Sequence, residues 1–250
     1  MNDIRIFGVP GMPEVAAGDD LPGLIGQALQ NMGETLQEGD VVAVTSKIVS
    51  KAEGRIVMEH EVAPSDFAVT LAQSSSKSAA EIEVILRESA RSVKMTDRVM
   101  IMETKHGFIC ANAGVDRSNV AGEGAMLLLP ENPDQSAERI RKALEEQFGV
   151  SLAVILTDTF GRPWRVGQTN VAIGVSGMAP IVDYKGQKDS HNRTLQATAL
   201  AVADELAGAA ELVMNKTDRI PVAVIRGYPY VKAPGKASEL IRPKHLDLFQ

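Results

Sequence analysis

The sequence predicts a mixed α/β fold of the α+β class, in which helices and strands share one fold. Apolar runs rich in β-branched residues at 41–46 and 220–228 are typical of buried strands. Apolar residues recur at helical spacing after Pro133, and the segment 194–213 is apolar nearly all round. These elements do not alternate as a regular strand–helix–strand repeat. The order therefore favours an α+β arrangement over a doubly wound sheet.

The first half of the chain is predicted to contain three strands and one clear helix. The strand candidates are the apolar stretches 4–9, 41–46 and 55–58. A helix should begin near Ala79, because Ser78 followed three residues later by Glu81 is the pattern of a capping box. The residues expected to share one face of this helix are Ile82, Ile85, Leu86 and Ser89.

The second half is predicted to hold a hairpin, two helices and two strands. The segments 98–104 and 107–112 should form the hairpin, which turns at Gly107. A helix should start at Pro133, capped by Asn132, and end at Gly149. The other candidates are a central strand at 150–157, a buried helix at 194–213 and a last strand at 220–228. Asp158 is then expected at the carboxyl end of the central strand.

Composition indicates a soluble, cytoplasmic protein that binds neither nucleic acid nor membranes. The net charge of −6 and the aromatic content of 4% argue against nucleic-acid binding, which favours basic surfaces and stacking rings. Cys110 is the only cysteine, so no intrachain disulfide is possible and a reducing compartment fits. The beginning lacks the pattern of a signal peptide, and no apolar run is long enough to span a membrane.

Oxygen-ligand chemistry remains after the common catalytic motifs are tested. The sequence lacks the phosphate-binding patterns GxxxxGK[ST] and GxGxxG, the zinc pattern HExxH and the GxSxG elbow. Asp158 and Thr159 instead place a carboxylate and a hydroxyl together after an apolar run, and Asp116 lies in another loop. Such oxygens suit Mg²⁺ or Mn²⁺. The alternative is that both segments are ordinary turns or helix caps.

Basic residues beside these segments have two interpretations. Lys47 and Lys51 follow the strand at 41–46, and lysine is a compact charge suited to phosphate oxygens. The residues alone favour the simpler view that both lysines are solvated. Arg162 and Arg165 present the same choice. A phosphatase of the haloacid-dehalogenase type is disfavoured, because Phe160 stands where its second aspartate should be.

Seven motifs occur in one order across nearly the whole chain. They are PGMPEVAAGDDL, GDVVAVTSKIVSKAEGR, ANAGVDRSNV, LLLPENPDQSA, AVILTDTFGRPWRVGQT, VADELAGAAELV and PVAVIRG. Together they resemble the coenzyme F-420-0:γ-glutamyl ligases, known as CofE. The chain resembles in particular the ligase domain that forms the N-terminal half of the actinobacterial protein FbiB.

The resemblance implies a GTP- and divalent-metal-dependent ligase. Such an enzyme joins the side-chain carboxylate of a deazaflavin, F-420-0, to L-glutamate, and further glutamates can follow through γ-linkages. The resemblance implies mixed β-sheets with flanking helices, an intertwined homodimer and one ligase domain over 1–250 without a flavin-binding domain. Mg²⁺ or Mn²⁺ is the implied metal, and a monovalent cation such as K⁺ is a further candidate. The alternatives are an amide ligase for another acceptor or amino acid, and a catalytically silent GTP-binding protein.

The resemblance also implies site residues. The implied metal ligands are Asp116, Asp158 and Thr159, and Asp158 also belongs to the implied catalytic residues, to which we add Arg162. The implied GTP contacts are Met12, Pro13, Glu14, Val15, Ser46, Lys47, Lys51 and Asn119. Some family members carry a further acidic metal ligand in a loop before the last strand. In this chain that loop is NKTDRIP, with Lys216 in place of a carboxylate, so the number of metal ions is left open.

Overall fold

The structure is a computed structural model that describes residues 3–118 and 122–247. This part of the chain contains twelve strands and six α-helices. The strands are β1 (Arg5–Gly8), β2 (Val41–Thr45), β3 (Ile56–Met58), β4 (Ser89–Met95), β5 (Met100–Thr104), β6 (Ile109–Ala111), β7 (Ala125–Leu127), β8 (Ala153–Arg162), β9 (Arg165–Ser176), β10 (Val182–Asp183), β11 (Ala199–Leu200) and β12 (Val222–Arg226). The helices are α1 (Leu21–Asn31), α2 (Ser46–Ala52), α3 (Asp66–Ala72), α4 (Ala79–Arg87), α5 (Pro133–Phe148) and α6 (Val202–Met214).

A five-stranded mixed sheet lies at the centre, in the order β1-β12-β2-β8-β9. Strands β2 and β8 are parallel, and every other neighbouring pair is antiparallel. The segments that form β2, β12 and the first half of β8 are buried on both faces, which explains their continuous apolar runs. The predicted α+β class is therefore confirmed.

Helices cover both faces of this sheet and create two cores. On one face α1, α2 and α5 pack over a core that includes Val154 and Leu156. On the other face α6 packs over a core that includes Ala153 and Ile155. Side chains alternate between the two faces along a strand, so the position of each residue in β8 decides which helices its side chain contacts.

A second lobe is built from β3 to β7 with α3 and α4. Strands β4, β5 and β6 form an antiparallel sheet, and β3 pairs with β7. Its own core contains Ile82, Ile85, Met100, Met102 and Met126. This lobe contains the loop that carries Asp116, which pairs with Leu127 in an isolated β-bridge.

Most predicted elements are confirmed, together with their end signals. The strands predicted at 4–9, 41–46, 55–58 and 220–228 form, as does the hairpin, in which Gly107 takes a φ of 94°. The side chains of Ser78 and Asn132 accept backbone N–H bonds at the starts of α4 and α5. Gly149 ends α5 in the left-handed conformation.

Three predictions about these elements are wrong. The helix predicted at 194–213 begins only at Val202, because the preceding residues run over the surface and include β11. Ser89 does not share the buried face of α4, since it begins β4. The central strand does not stop at Thr157, because it continues to Arg162 as the first arm of a hairpin with β9.

Beyond Thr157 this hairpin extends past the neighbouring strand β2 of the central sheet. Thr45 and Thr157 are the last residues that pair between β2 and β8. Residues 158–162 therefore pair through their backbone only with β9. At its far end Trp164 and Val166 are 86% and 96% exposed. No helix within the described ranges is long and apolar enough to cross a membrane.

Candidate active site

Parallel pairing of β2 with β8 brings Asp158 beside the start of α2. The carboxyl ends of parallel neighbours meet at one edge of a sheet, and Ser46 and Asp158 are the residues that follow the last pair. The Ser46 hydroxyl donates a hydrogen bond of 3.1 Å to Oδ1 of Asp158. Asp158 therefore lies where the parallel pairing ends, but not at the end of its own strand as predicted, because β8 continues to Arg162.

The carboxyl group of Asp158 is held in an unfavourable environment for a charge. Desolvation by the surrounding protein raises the pKa of Asp158 to about 6, and the negative charge of Asp116 adds to that effect. Hydrogen bonds from the Thr159 backbone N–H and from Ser46, with the charge of Lys47, act in the opposite direction. A cation bound here would offset the repulsion between the two carboxylates.

Asp116 reaches the same place from the second lobe. Lys47 Nζ lies 2.6 Å from Oδ2 of Asp116, and it also donates to the Ser118 hydroxyl at 2.7 Å. The Ser118 backbone N–H donates to Oδ1 of Asp116 at 2.7 Å. Burial by itself would raise the pKa of Asp116, but these hydrogen bonds and the Lys47 charge outweigh it and lower the pKa. Asp116 and Asp158 are thus close enough for their charges to interact, and Lys47, which pairs with Asp116, adds its positive charge beside Asp158. That the two carboxylates bind one ion stays a prediction.

Thr159 and Arg162 point elsewhere. Strand alternation places Thr159 on the face of β8 opposite Asp158, where its hydroxyl donates to Oδ1 of Asn170 at 2.7 Å. Arg162 donates to the carbonyl of Val166 at 2.8 Å within the hairpin. Neither side chain joins the carboxylate pair, so the metal-binding role of Thr159 and the catalytic role of Arg162 stay predictions.

The implied nucleotide loop is joined to α2 by an ion pair. Met12, Pro13, Glu14 and Val15 lie between β1 and α1, and Glu14 forms a salt bridge with Lys51. Lys51 is only 8% exposed, so the expectation that both lysines are merely solvated is wrong for this one. Position 51 is one helical turn from Lys47, which places both ammonium groups along one side of α2.

A cavity of about 370 Å³ opens beside this loop. Its lining consists of Pro13, Glu14, Asp19, Asp20, Gly23 and Leu24. Asn119, another implied GTP contact, lies outside the described residues. Ser118 is a site residue that sequence reasoning missed, and its position two residues after Asp116 was the available signal, because such pairs commonly form side-chain-to-backbone turns.

The carboxylate pair fits a metal ion that arrives with phosphates. Among the described residues no group of three or more His, Cys, Asp or Glu side chains could enclose an ion. Mg²⁺ is usually held by one or two carboxylates, with waters and substrate phosphates as the other ligands. Asp116 and Asp158 supply that number, with the Ser46 and Ser118 hydroxyls beside them.

Removing the charge of Asp158 should stabilise the metal-free protein. At pH 8, Asp158→Asn should raise the free energy of unfolding by about 2 kcal/mol. This is the free-energy equivalent of the raised pKa of Asp158, reduced because solvent partly reaches the side chain. The folded pKa of about 6 lies above the unfolded 3.8, so wild-type stability falls as pH rises between them. Urea unfolding in EDTA from pH 4 to pH 8 measures this. A gain that is equal at every pH would exclude the charge as its cause.

The chain matches known proteins along nearly its whole length. The family model described as F420-0:Gamma-glutamyl ligase matches residues 11–227. A protein of Methanothermobacter thermautotrophicus named coenzyme F420:L-glutamate ligase is 46% identical over 99% of both chains. Proteins of that name from Methanopyrus kandleri and Methanocaldococcus jannaschii are 43% and 41% identical, over 99% and 93% of this chain and 98% and 95% of their own. This chain therefore belongs to the F420-0:γ-glutamyl ligase family.

Proposed function

We propose that this protein is a coenzyme F420:L-glutamate ligase that uses GTP and Mg²⁺ or Mn²⁺. It would join the side-chain carboxylate of F420-0 to the amine of L-glutamate, and add further glutamates through γ-linkages. The observation that carries the proposal is the meeting of Asp116 and Asp158, from two lobes, around Lys47. Membership of the ligase family and the activity for which the relatives are named support it.

GTP supplies the step that a carboxylate cannot make by itself. Amide formation from a free carboxylate would have to expel an oxide or hydroxide, which are poor leaving groups. Transfer of the γ-phosphoryl group to the carboxylate oxygen forms an acyl phosphate and releases GDP. The glutamate amine then attacks the carbonyl carbon, the C–O bond breaks, inorganic phosphate leaves and the amine loses a proton. Such transfers depend on positioning and charge neutralisation.

Each residue of the site has a role in this scheme. Asp116 and Asp158 would hold the divalent ion, which when bound neutralises phosphate charge during transfer. Ser46 orients the Asp158 carboxylate, and Lys47 pairs with the Asp116 carboxylate. Lys51, already paired with Glu14, would bind phosphate oxygens beside the nucleotide loop. The cavity next to Pro13 and Glu14 is where we place the rest of the nucleotide.

The β8–β9 hairpin supports a homodimer. Trp164 and Val166 are large apolar residues held at an exposed tip, which is typical of surfaces that another chain covers. Sedimentation velocity should give a particle of twice the 26.7 kDa chain mass, and Val166→Asp should shift it toward the monomer. A variant that remains fully dimeric would remove the hairpin tip from the proposed interface.

A product-mass assay tests the function directly. The protein is incubated with F420-0, L-glutamate, GTP and Mn²⁺ or Mg²⁺, and the masses of the products are measured by mass spectrometry. We expect glutamate addition with one GDP and one phosphate per amide, and no product without GTP or metal. Retention of unmodified F420-0 with complete substrates would contradict the proposal.

Two alternatives give different results in the same assay. A ligase for another acceptor or amino acid would form GDP only when its own substrate replaces F420-0 or glutamate. A catalytically silent protein would bind GTP without turnover under every condition. The half-buried ion pair of Lys47 and Asp116 lies near Asp158, whose pKa is raised. This arrangement favours turnover, because ionisable groups with shifted pKa values concentrate at catalytic sites. The proposed substrates are all small molecules, and the proposed reaction involves neither a membrane nor a nucleic acid.

A further inference from the structure

A second oxygen cluster lies on the face of β8 opposite Asp158, and the ammonium group of Lys216 fills it. Lys216 Nζ donates to Oγ1 of Thr159 at 2.6 Å. It lies 2.8 Å from Oε1 of Glu211 and 3.5 Å from Oδ1 of Asn170. An ammonium has three donors and no acceptor, so these three oxygens match its full capacity.

The fold holds these oxygens in place from three elements. Helix α6 ends at Met214, and Asn215 takes a φ of 52°, which brings the next residue close to the last turn of the helix, where Glu211 lies. Asn170, on β9, is buried and donates to Oε2 of Glu211 at 2.7 Å. That bond fixes which end of the Asn170 amide faces Lys216. Lys216 is 59% exposed at its side chain, so solvent reaches the cluster from one side.

We infer that the Lys216 ammonium takes the place of a second divalent cation beside Thr159, so that this chain binds a single divalent ion, at Asp116 and Asp158. The inference rests on the proposed function for that single ion. Thr159 is an implied metal ligand, yet the position next to its hydroxyl already carries a covalently attached positive charge. A divalent ion there would be repelled by Lys216, and the oxygens it needs are already bonded.

Reversal of the charge at position 216 should create the missing site. In Lys216→Glu, the new carboxylate joins Glu211, the Thr159 hydroxyl and the Asn170 amide oxygen. Two carboxylates with two neutral oxygens form a ligand set that Mg²⁺ and Mn²⁺ accept. Lys216→Gln offers a milder form, because it removes the ammonium and adds only a neutral oxygen.

Electron paramagnetic resonance of Mn²⁺ counts bound ions without any need for turnover. Metal-free protein is titrated with Mn²⁺ in the presence of a non-hydrolysable GTP analogue, and free Mn²⁺ is measured. We expect one bound ion per chain for the wild type and two for Lys216→Glu. Lys142→Glu is the matched control, since Lys142 is an exposed lysine paired with a glutamate on α5, and it should keep one ion.

Two results would overturn the inference. One is a wild-type count of two ions, and the other is a Lys216→Glu count equal to the wild type in protein with native circular dichroism. If Lys216→Glu does not fold, Lys216→Gln takes its place. A Mn²⁺ titration of Lys216→Gln that equals the wild type and shows no second, weaker site also counts against the inference. A count of zero for wild type with one for Lys216→Glu would refute the ion at Asp116 and Asp158, and with it the proposed function, while the exclusion of an ion beside Thr159 by Lys216 would stand. The two proposals therefore fail separately.

Discussion

Asp158→Asn should reduce ligation by a factor of about 1,000 or more, equivalent to about 4 kcal/mol of transition-state stabilisation. Asparagine keeps the size of the side chain and its contact with the Ser46 hydroxyl, so the fold should be unchanged. It removes the charge that is expected to hold the divalent ion against the GTP phosphates. Initial rates of glutamate addition, at saturating GTP and metal, measure the effect.

The matched control is Asp204→Asn. Asp204 is another half-buried carboxyl group whose pKa burial raises, and it accepts a backbone N–H bond from Ala172 at 2.8 Å. It lies on α6, which covers the face of the sheet opposite Asp158. We expect its ligation rate to stay near that of the wild type. Near-normal activity of Asp158→Asn, with native circular dichroism in both variants, would remove Asp158 from the mechanism.

Lys51→Met should raise the KM for GTP about 30-fold and leave the KM for glutamate nearly unchanged, since a charge-assisted hydrogen bond contributes about 2 kcal/mol. Methionine preserves the packing of the long side chain in a buried position and removes only the ammonium. Glu14, the partner of Lys51, is largely exposed, so its carboxylate is left solvated and not buried without a partner. Steady-state kinetics with each substrate varied in turn provide the two constants.

Lys142→Met controls for the general loss of one positive charge. It removes an exposed lysine from α5, outside the site, and both KM values should remain as in the wild type. Equal increases of the KM for GTP and for glutamate in Lys51→Met would contradict a phosphate-binding role.

Elements whose signals are local could be predicted from the sequence. The cap residues Ser78, Asn132 and Gly149 mark helix ends because their side chains or backbone angles satisfy groups a few residues away. The strand β9 could not be predicted in the same way. Its first half is mostly polar and mostly exposed, and it becomes a strand only because β8 pairs with it.

The candidate site could be predicted only in part, because its geometry depends on contacts that are distant in sequence. The sequence predicts that Asp116 and Asp158 converge, and in the structure Lys47 pairs with Asp116 while the charges of both residues act on Asp158. The opposite orientation of Thr159 was missed for one reason. The sequence predicts that the strand stops at Thr157, whereas a strand that continues must send residues 158 and 159 to opposite faces. The buried position of Lys51 depends on α2, a short helix that was not predicted.

The two carboxylates belong to parts of the protein with separate hydrophobic interiors, Asp158 to the central sheet and Asp116 to the lobe built around Ile82 and Met102. The proposed ion site therefore depends on how these two parts pack against each other, and we expect a modest loosening between them to abolish activity before either part unfolds. An ion bound with its nucleotide would connect the two parts and hold them together. Hydrogen exchange at the junction should accordingly slow when substrates bind, even where the surrounding helices are already protected.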